Sequence, residues 1–252
     1  SPFLPHNCME PMNFFANKTE VVELGKGGQI ILDEYIIREG EELGSFYGFQ
    51  YLGVWKADEV DEAAVYGKVP GDSKYFDLNG DDLINEDDKL IIGNGQADYS
   101  FGISNNFSYK GFDLSAEIIG VQGNQILNAR RYWLNREFRV PENLDYYRDD
   151  YQDTDVPGFS TTESHPTTSN SRWLEDGSFI RLRNVSLGYS FSRTLLSKIG
   201  VSHLRLYLSA QNLVTITNYS GFDPELTSFG NSDVRIGYDS SPIHLQKFIR
   251  LG

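Results

Sequence analysis

Between Tyr99 and Tyr109 the chain alternates in type. Tyr99, Phe101, Ile103, Phe107 and Tyr109 fall on one side, Ser100, Gly102, Ser104, Asn106 and Ser108 on the other, with Asn105 interrupting the apolar row. Successive side chains of a strand point to opposite faces, so this pattern predicts a strand with one apolar side. Lys110-Gly111 reads as a tight turn, and Phe112, Leu114, Ala116 and Ile118 then alternate with Asp113, Ser115 and Glu117, completing a hairpin. A second pair follows the same grammar. Val185, Leu187, Tyr189 and Phe191 form one apolar row, and Leu204, Leu206, Leu208 and Ala210, alternating with Arg205, Tyr207, Ser209 and Gln211, form the next, across the connection Ser192 to Ser202. Further strands are expected from Gln29 to Ile37 and from Ser45 to Trp55, joined through Glu39-Gly40-Glu41-Glu42, and from about Leu245 to the end, making seven.

The connections sort into short ones, at about 38 to 44, 110 to 111 and 192 to 202, and long ones, at about 56 to 98, 122 to 177 and 214 to 244, in strict alternation. The expected fold class is therefore all-β: a segment of an antiparallel up-and-down transmembrane β-barrel, with short turns at the periplasmic end and long extracellular loops. The 99–109 run has the roughly 9 to 11 residues that carry a tilted strand across a bilayer. A soluble antiparallel sandwich, with long loops at both ends, is the competing architecture, and alternation alone leaves both open. Tyr99, Tyr109, Phe112, Tyr189, Phe191 and Tyr219 lie near strand ends, where a barrel carries aromatic girdles and a sandwich carries ordinary sheet aromatics.

Composition narrows the partners. Aromatic residues make up 13% of the 252, with 24 Gly, a mixture that favours strands and turns over helices. No run approaches the roughly 18 to 20 apolar residues of a transmembrane helix. Barrel strands escape that test because they average out as polar, so the negative mean hydropathy is neutral. A net charge of -14 argues against nucleic acid and against adsorption on anionic lipid, and leaves divalent cations as partners. Cys8 is the single cysteine, which excludes an internal disulfide framework and a Cys-rich zinc site. Its neighbours Leu4 to Asn7 lack the small residues that precede a lipidated cysteine. Ser1 to Phe15 contains no signal peptide, so an export signal is expected upstream.

One segment carries definite chemistry. Asp77-Leu78-Asn79-Gly80-Asp81-Asp82-Leu83-Ile84-Asn85-Glu86-Asp87-Asp88 places oxygen-bearing side chains at loop positions 1, 3, 5, 9 and 12, the spacing of an EF-hand-like calcium loop. Asp77, Asn79 and Asp81 are the expected side-chain ligands of Ca2+. Leu83 would contribute its carbonyl, Asn85 would act directly or through water, and Asp88 would be the closing carboxylate. Asp82 stands where the sharp turn usually takes Gly, and Asp88 where a longer Glu binds in bidentate fashion, so affinity should be modest. No amphipathic helix precedes the loop, which points to a structural staple rather than a signalling switch; a merely solvated acidic turn is the alternative. From 56 to 98 the chain has 12 acidic and 4 basic residues, a local charge of -8 that a cation would relieve.

Catalytic signatures are missing from the sequence. His6, His165, His203 and His244 have no metal spacing, no G-x-S-x-G elbow or Walker loop occurs, and Gly93-Asn94-Gly95 lacks the third glycine of a dinucleotide fingerprint. Asp223 and Glu225 could be imagined as a glycoside-hydrolase pair, but neighbouring carboxylates are expected by chance in so acidic a chain, and no enzymatic activity is expected.

A set of short strings then resembles a known family. Gly44 to Gly48 (GSFYG), Gly71-Asp72, Lys74-Tyr75 leading to Asp77 to Asp81 (DLNGD), Ile92-Gly93, Tyr109 to Asp113 (YKGFD), Asp176 to Val185 (DGSFIRLRNV), Leu187 to Tyr189 (LGY), Gln211 to Leu213 (QNL) and Tyr219 to Glu225 (YSGFDPE) are similar, in order and spacing, to the C-terminal part of SusC/RagA-type TonB-linked outer-membrane proteins of the Bacteroidetes. The resemblance implies a 22-stranded barrel in the Gram-negative cell outer membrane that imports glycan or peptide fragments. It implies a SusD-like surface lipoprotein as partner and energy from the TonB complex. The plug domain and TonB box of such proteins have no counterpart among residues 1 to 252, and Phe248 to Gly252 resembles the start of a final strand without the family's terminal aromatic. Truncation at both ends is therefore expected, along with open sheet edges that would make the isolated polypeptide aggregate. The competing expectation is a secreted, soluble, calcium-stabilised β-sandwich binding module.

Overall fold

The computed structural model describes residues 11–25, 27–136, 145–158, 169–225, 227–230, 232–240 and 248–251. In chain order the strands are β1 (Met12–Ala16), β2 (Gln29–Leu32), β3 (Tyr35–Arg38), β4 (Ser45–Gly48), β5 (Tyr51–Val54), β6 (Ser73–Tyr75), β7 (Leu90–Asn94), β8 (Tyr99–Tyr109), β9 (Phe112–Gln122), β10 (Gln125–Leu127), β11 (Leu174–Asp176), β12 (Phe179–Ser190), β13 (Arg205–Thr217) and β14 (Phe248–Leu251). Among the described residues three short α-helices accompany them: α1 (Val60–Val65), α2 (Ala129–Arg136) and α3 (Arg193–Leu196). No helix among the described residues is long and apolar enough to cross a membrane.

The main sheet runs β1-β8-β9-β12-β13-β14, with every neighbour antiparallel. The turn at Lys110-Gly111 sets the first register, Tyr109 opposite Phe112 and Phe107 opposite Leu114. Both turn residues have positive φ, 48° and 90°, the geometry that matches the right-handed twist of the strands it joins. Because a strand's side-chain period is two, one register aligns every apolar row on the same side. One face thus carries Phe14, Phe101, Ile103, Leu114, Ile118, Ile180, Leu187, Leu206, Leu208, Val214 and Ile216, and the other carries Ser104, Asn106, Asp113, Ser115, Glu117, Arg181, Ser186, Arg205, Ser209, Gln211 and Thr215. The apolar face is uncovered: Phe112 is 52% exposed, Leu187 50% and Ile216 67%. An apolar area of this extent belongs in lipid or against a partner, not in water.

A bulge explains why the sequence pattern stopped short in β12. Register slips between Leu182 and Asn184 in both pairings of that strand. Outward positions fall on Ile180 and Leu182 before the slip and on Val185, Leu187 and Tyr189 after it, so the apolar positions change parity in mid-strand while the face stays the same. Against β9 the extra residue is Arg183, which absorbs the phase change, whereas against β13 the extra residue lies in β13, between Gln211 and Val214.

All three long excursions, 17–98, 123–178 and 218–247, leave the main sheet at one end, and the connections 110–111 and 191–204 lie at the other. The excursions pack on one another as a cap. It holds the four-stranded sheet β2-β3-β4-β7 and the ribbons β5-β6 and β10-β11 around buried Tyr35, Phe46, Leu127, Tyr132 and Trp173. Hydrogen bonds tie distant stretches together: the Tyr35 hydroxyl donates to the Ile236 carbonyl at 2.9 Å, Leu127 N–H to Gly237 at 2.7 Å and Phe49 N–H to Ser169 at 3.0 Å.

Two of the expected strands are corrected. Gln29 to Ile37 breaks at Asp33-Glu34, where Asp33 turns with φ 53°, into the hairpin β2-β3; Ser45 to Trp55 splits into β4 and β5. Each piece has four residues, too short to cross a bilayer, and lies in the cap. The strand preceding β8 in the main sheet is instead β1, so the first long connection runs from 17 to 98. The alternation of long and short connections survives. Tyr219 is likewise no girdle residue: it is buried, and its hydroxyl donates to Asp239 at 2.7 Å. The remaining aromatics keep to strand ends. Phe112, Tyr189 and Phe191 cluster with centroid spacings of 4.5 and 4.9 Å at the turn end, and Tyr99 stacks on Phe14 at 5.5 Å at the cap end.

Candidate functional site

The cap is anchored to the polar face of the main sheet by one buried arginine. Arg181, in β12, is 2% exposed. Its guanidinium donates to Asp223 at 2.6 Å, Glu225 at 2.7 Å and Thr215 at 2.9 Å, and Arg183 pairs with the other oxygen of Glu225. The guanidinium fork offers several donors in one plane, so a single side chain bridges two carboxylates from the third excursion, and Arg183 supplies the second positive charge. A second staple, Glu175, accepts from Ser220 N–H and Oγ, both at 2.8 Å, and from Arg131 at 3.2 Å. The imagined hydrolase pair is thereby accounted for: Asp223 and Glu225 are held by arginines as structural anions. Sequence reading passed over Arg181, whose signal was a charged residue alternating into a strand flanked by Ile180 and Leu182.

Residues 77 to 88 form a compact loop between β6 and β7. The N–H groups of Gly80 and Asp82 donate to Asp77 at 2.6 and 3.0 Å, Asp81 N–H donates to Asn79 at 3.0 Å, and Leu83 N–H donates to Asp81 at 3.0 Å. Asn85 accepts from Asp87 N–H at 2.9 Å. Asp82 adopts φ 63°, so it supplies the left-handed turn that glycine usually makes at that position, a conformation Asp tolerates better than most residues. Desolvation pushes the Asp77 carboxyl up, but the N–H donors of Gly80 and Asp82 and the Tyr66 hydroxyl outweigh it and hold it below the ordinary carboxylate value. Burial raises the Tyr66 hydroxyl, and the Asp77 charge adds to that. Asp88 is fully buried and closes the loop from within, accepting Leu78 N–H at 3.0 Å and Asn85 N–H at 2.8 Å. The oxygen donors suit a hard cation in type and spacing. Among the described residues no group of three or more His, Cys, Asp or Glu side chains is gathered closely enough to hold a metal ion.

Three comparisons bear on kinship. No family model matches the chain. TonB-dependent receptor P3 of Formosa agariphila is 34% identical over 251 residues, covering 91% of this chain and 25% of that protein. Receptor P26 of the same organism is 32% identical over 263 residues, covering 98% and 27%. TonB-dependent receptor SusC of Bacteroides thetaiotaomicron is 27% identical over 243 residues, covering 91% and 22%. A solved structure of the RagAB peptide transporter superposes with a TM-score of 0.70 at 26% identity, over 86% of this chain and 24% of that one. The chain belongs to the SusC/RagA-type TonB-dependent receptors.

It spans about a quarter of the length of the curated relatives it matches. In this receptor segment the main sheet is a stretch of antiparallel barrel wall. The bare apolar face is the outward face of that wall, and the face carrying Ser104, Ser186, Ser209 and Gln211 is the inward one. The relatives named are receptors and a transporter, and none is named as an enzyme.

Proposed function

We propose that this chain supplies wall and outward cap to an outer-membrane importer that takes up glycan or peptide fragments with a SusD-like surface lipoprotein, using energy delivered by the TonB complex to another part of the full-length protein. The observation that carries the reading is the sorting of the main sheet: one continuous apolar face for lipid, one polar face for an aqueous interior, and every long excursion at one end. In this reading the cap faces the cell exterior, where substrate and lipoprotein arrive. Surface digestion of intact cells making the full-length protein is the test: cleavage is expected within residues 141 to 170, and protection there with cleavage near Lys110 would overturn the topology.

We further propose that Asp77, Asn79, Asp81, the Leu83 carbonyl, Asn85 and Asp88 hold one structural Ca2+ that offsets the charge of the 56 to 98 stretch. Support comes from the oxygen spacing and the left-handed turn at Asp82. Isothermal titration of calcium into the full-length protein should give a heat that Asp77→Ala and Asp81→Ala remove; equal heats would eliminate the site.

A further inference from the structure

The cap contains a cavity of about 480 Å³ lined from β5, α2 and the stretches around 155–156 and 172. Tyr51, Leu52 and Gly53 line one side, Arg131 of α2 and Arg172 another, and Asp155 with Val156 the third. Its walls are tied to each other. Tyr51 N–H donates to Ser171 Oγ at 2.9 Å, the Tyr51 hydroxyl to the Asp155 carbonyl at 2.6 Å, and the Lys56 ammonium to the Thr154 carbonyl at 2.6 Å. Gly53 has φ 107°, a backbone conformation that L side chains rarely adopt, so the turn of β5 beside Asp155 requires glycine. Bonds across three segments far apart in sequence make the cavity preformed, and a preformed concave site with few polar groups is the usual form of a ligand site.

The charge lining it is cationic. Arg172 lies with its guanidinium carbon 5.5 Å from the Tyr51 ring and 4.6 Å from the Trp173 ring, which holds the fork in one orientation. Arg131 is steadied by Glu175, whose carboxylate also accepts from Ser220 and Asn128 and is therefore divided among several donors. Among the described lining residues the carboxylate is Asp155, which is 83% exposed at the rim and faces Lys56 at 3.9 Å. Two oriented guanidinium groups in a chain of net charge -14 form a local exception to its electrostatics.

We propose that this cavity is a subsite for a carboxylate-bearing residue of the imported oligomer, held by Arg172 and Arg131 with the Tyr51 ring as a flat wall. A planar fork recognises a carboxylate in bidentate fashion, and such charge-assisted bonds are about twice as strong as neutral ones. The proposal rests on the importer reading and narrows its substrate class to acidic oligomers. The carboxylate could come from a uronic acid or from an acidic peptide, so both are probed.

The test uses the purified full-length receptor in detergent at 150 mM salt, titrated calorimetrically with oligogalacturonate, hexaglutamate and neutral maltohexaose. One acidic probe should bind at least tenfold more tightly than maltohexaose. Arg172→Gln should weaken it at least tenfold, whereas Lys18→Gln, at an exposed site outside the cavity, should leave it unchanged. Asp155→Asn, which removes the rim carboxylate and touches neither arginine, should strengthen acidic binding severalfold and serves if Arg172→Gln fails to assemble. Equal binding of neutral and acidic probes, no binding of either acidic probe, or acidic binding indifferent to both substitutions overturns the subsite. The importer reading is judged apart from it, by whether deleting the full-length gene abolishes growth on the oligomer that supports it.

Discussion

Arg181→Gln in the full-length protein isolates what anchors the cap to the wall. The guanidinium is 2% exposed and makes three hydrogen bonds, two to carboxylates. Glutamine leaves Glu225 with Arg183, so that carboxylate keeps a cationic partner. Asp223 is 4% exposed and, among the described residues, keeps the Glu225 N–H at 2.9 Å as its donor. Removing one partner of a buried ion pair costs about 3 to 5 kcal/mol because the remaining charge stays desolvated. With one of the two carboxylates still paired, the lower figure applies, about 3 kcal/mol. The loss falls on docking of the 218–225 segment, since the main-sheet ladder runs through Arg181 by its backbone. At 1.4 kcal/mol per decade, the open population of that segment should rise about a hundredfold. Hydrogen exchange read on peptides covering 218 to 225 measures this directly, with peptides from β9 as the unchanged internal reference. Adding Asp223→Asn to Arg181→Gln should recover part of the protection by removing the stranded charge. An exchange rate within about threefold of the parent, or a double variant more open than the single, would refute the reasoning.

Two other predictions concern the lipid face and the cap's acidic flank. Ile118→Lys, outward at mid-strand opposite Ile103 and Leu182, should cost about 2 to 4 kcal/mol of folding into vesicles, whereas Ser115→Lys on the inward face should cost far less; equal costs would mean that the faces are assigned wrongly. Glu59 is held below the ordinary carboxylate value first by its hydrogen bond from Lys74 and then by Lys56 N–H. A depressed carboxyl stabilises above its unfolded value near about 4.3 and loses that contribution as pH falls through the folded value. The stability difference between the parent and Glu59→Gln, followed by Trp55 fluorescence on heating, should therefore be present at pH 7 and shrink below pH of about 4; a difference constant with pH would exclude this linkage.

The readable parts of the fold were those governed by local periodicity. The hairpin was legible because its alternation is interrupted only at Asn105 from Tyr99 to Ile118 and its turn is two residues long. In β12 the pattern was visible from Val185 onward and lost above it, since the bulge at Arg183 reverses the parity of the apolar positions. Gln29 to Ile37 misled for a different reason: apolar residues lie on both sides of Asp33-Glu34, and such a run does not by itself distinguish a long strand from two short ones folded back at a left-handed Asp. The 77–88 loop was legible as a spacing of oxygen-bearing side chains, while the use of both Asp88 oxygens on backbone N–H groups depends on how the loop closes.

What the sequence determined by itself was the class of the molecule: two-faced strands, long connections kept to one end, and strings that resemble one receptor family. These follow from chemistry repeated every second residue or within a few neighbours. The tertiary structure alone decided which segments form wall and which form cap, that Arg181 holds Asp223 and Glu225, and that Tyr51, Arg131, Asp155 and Arg172 surround one cavity. Those partners are separated by roughly 20 to 120 positions along the chain, and a pairing at that distance is selected by the packing of whole excursions, about which local periodicity carries no information.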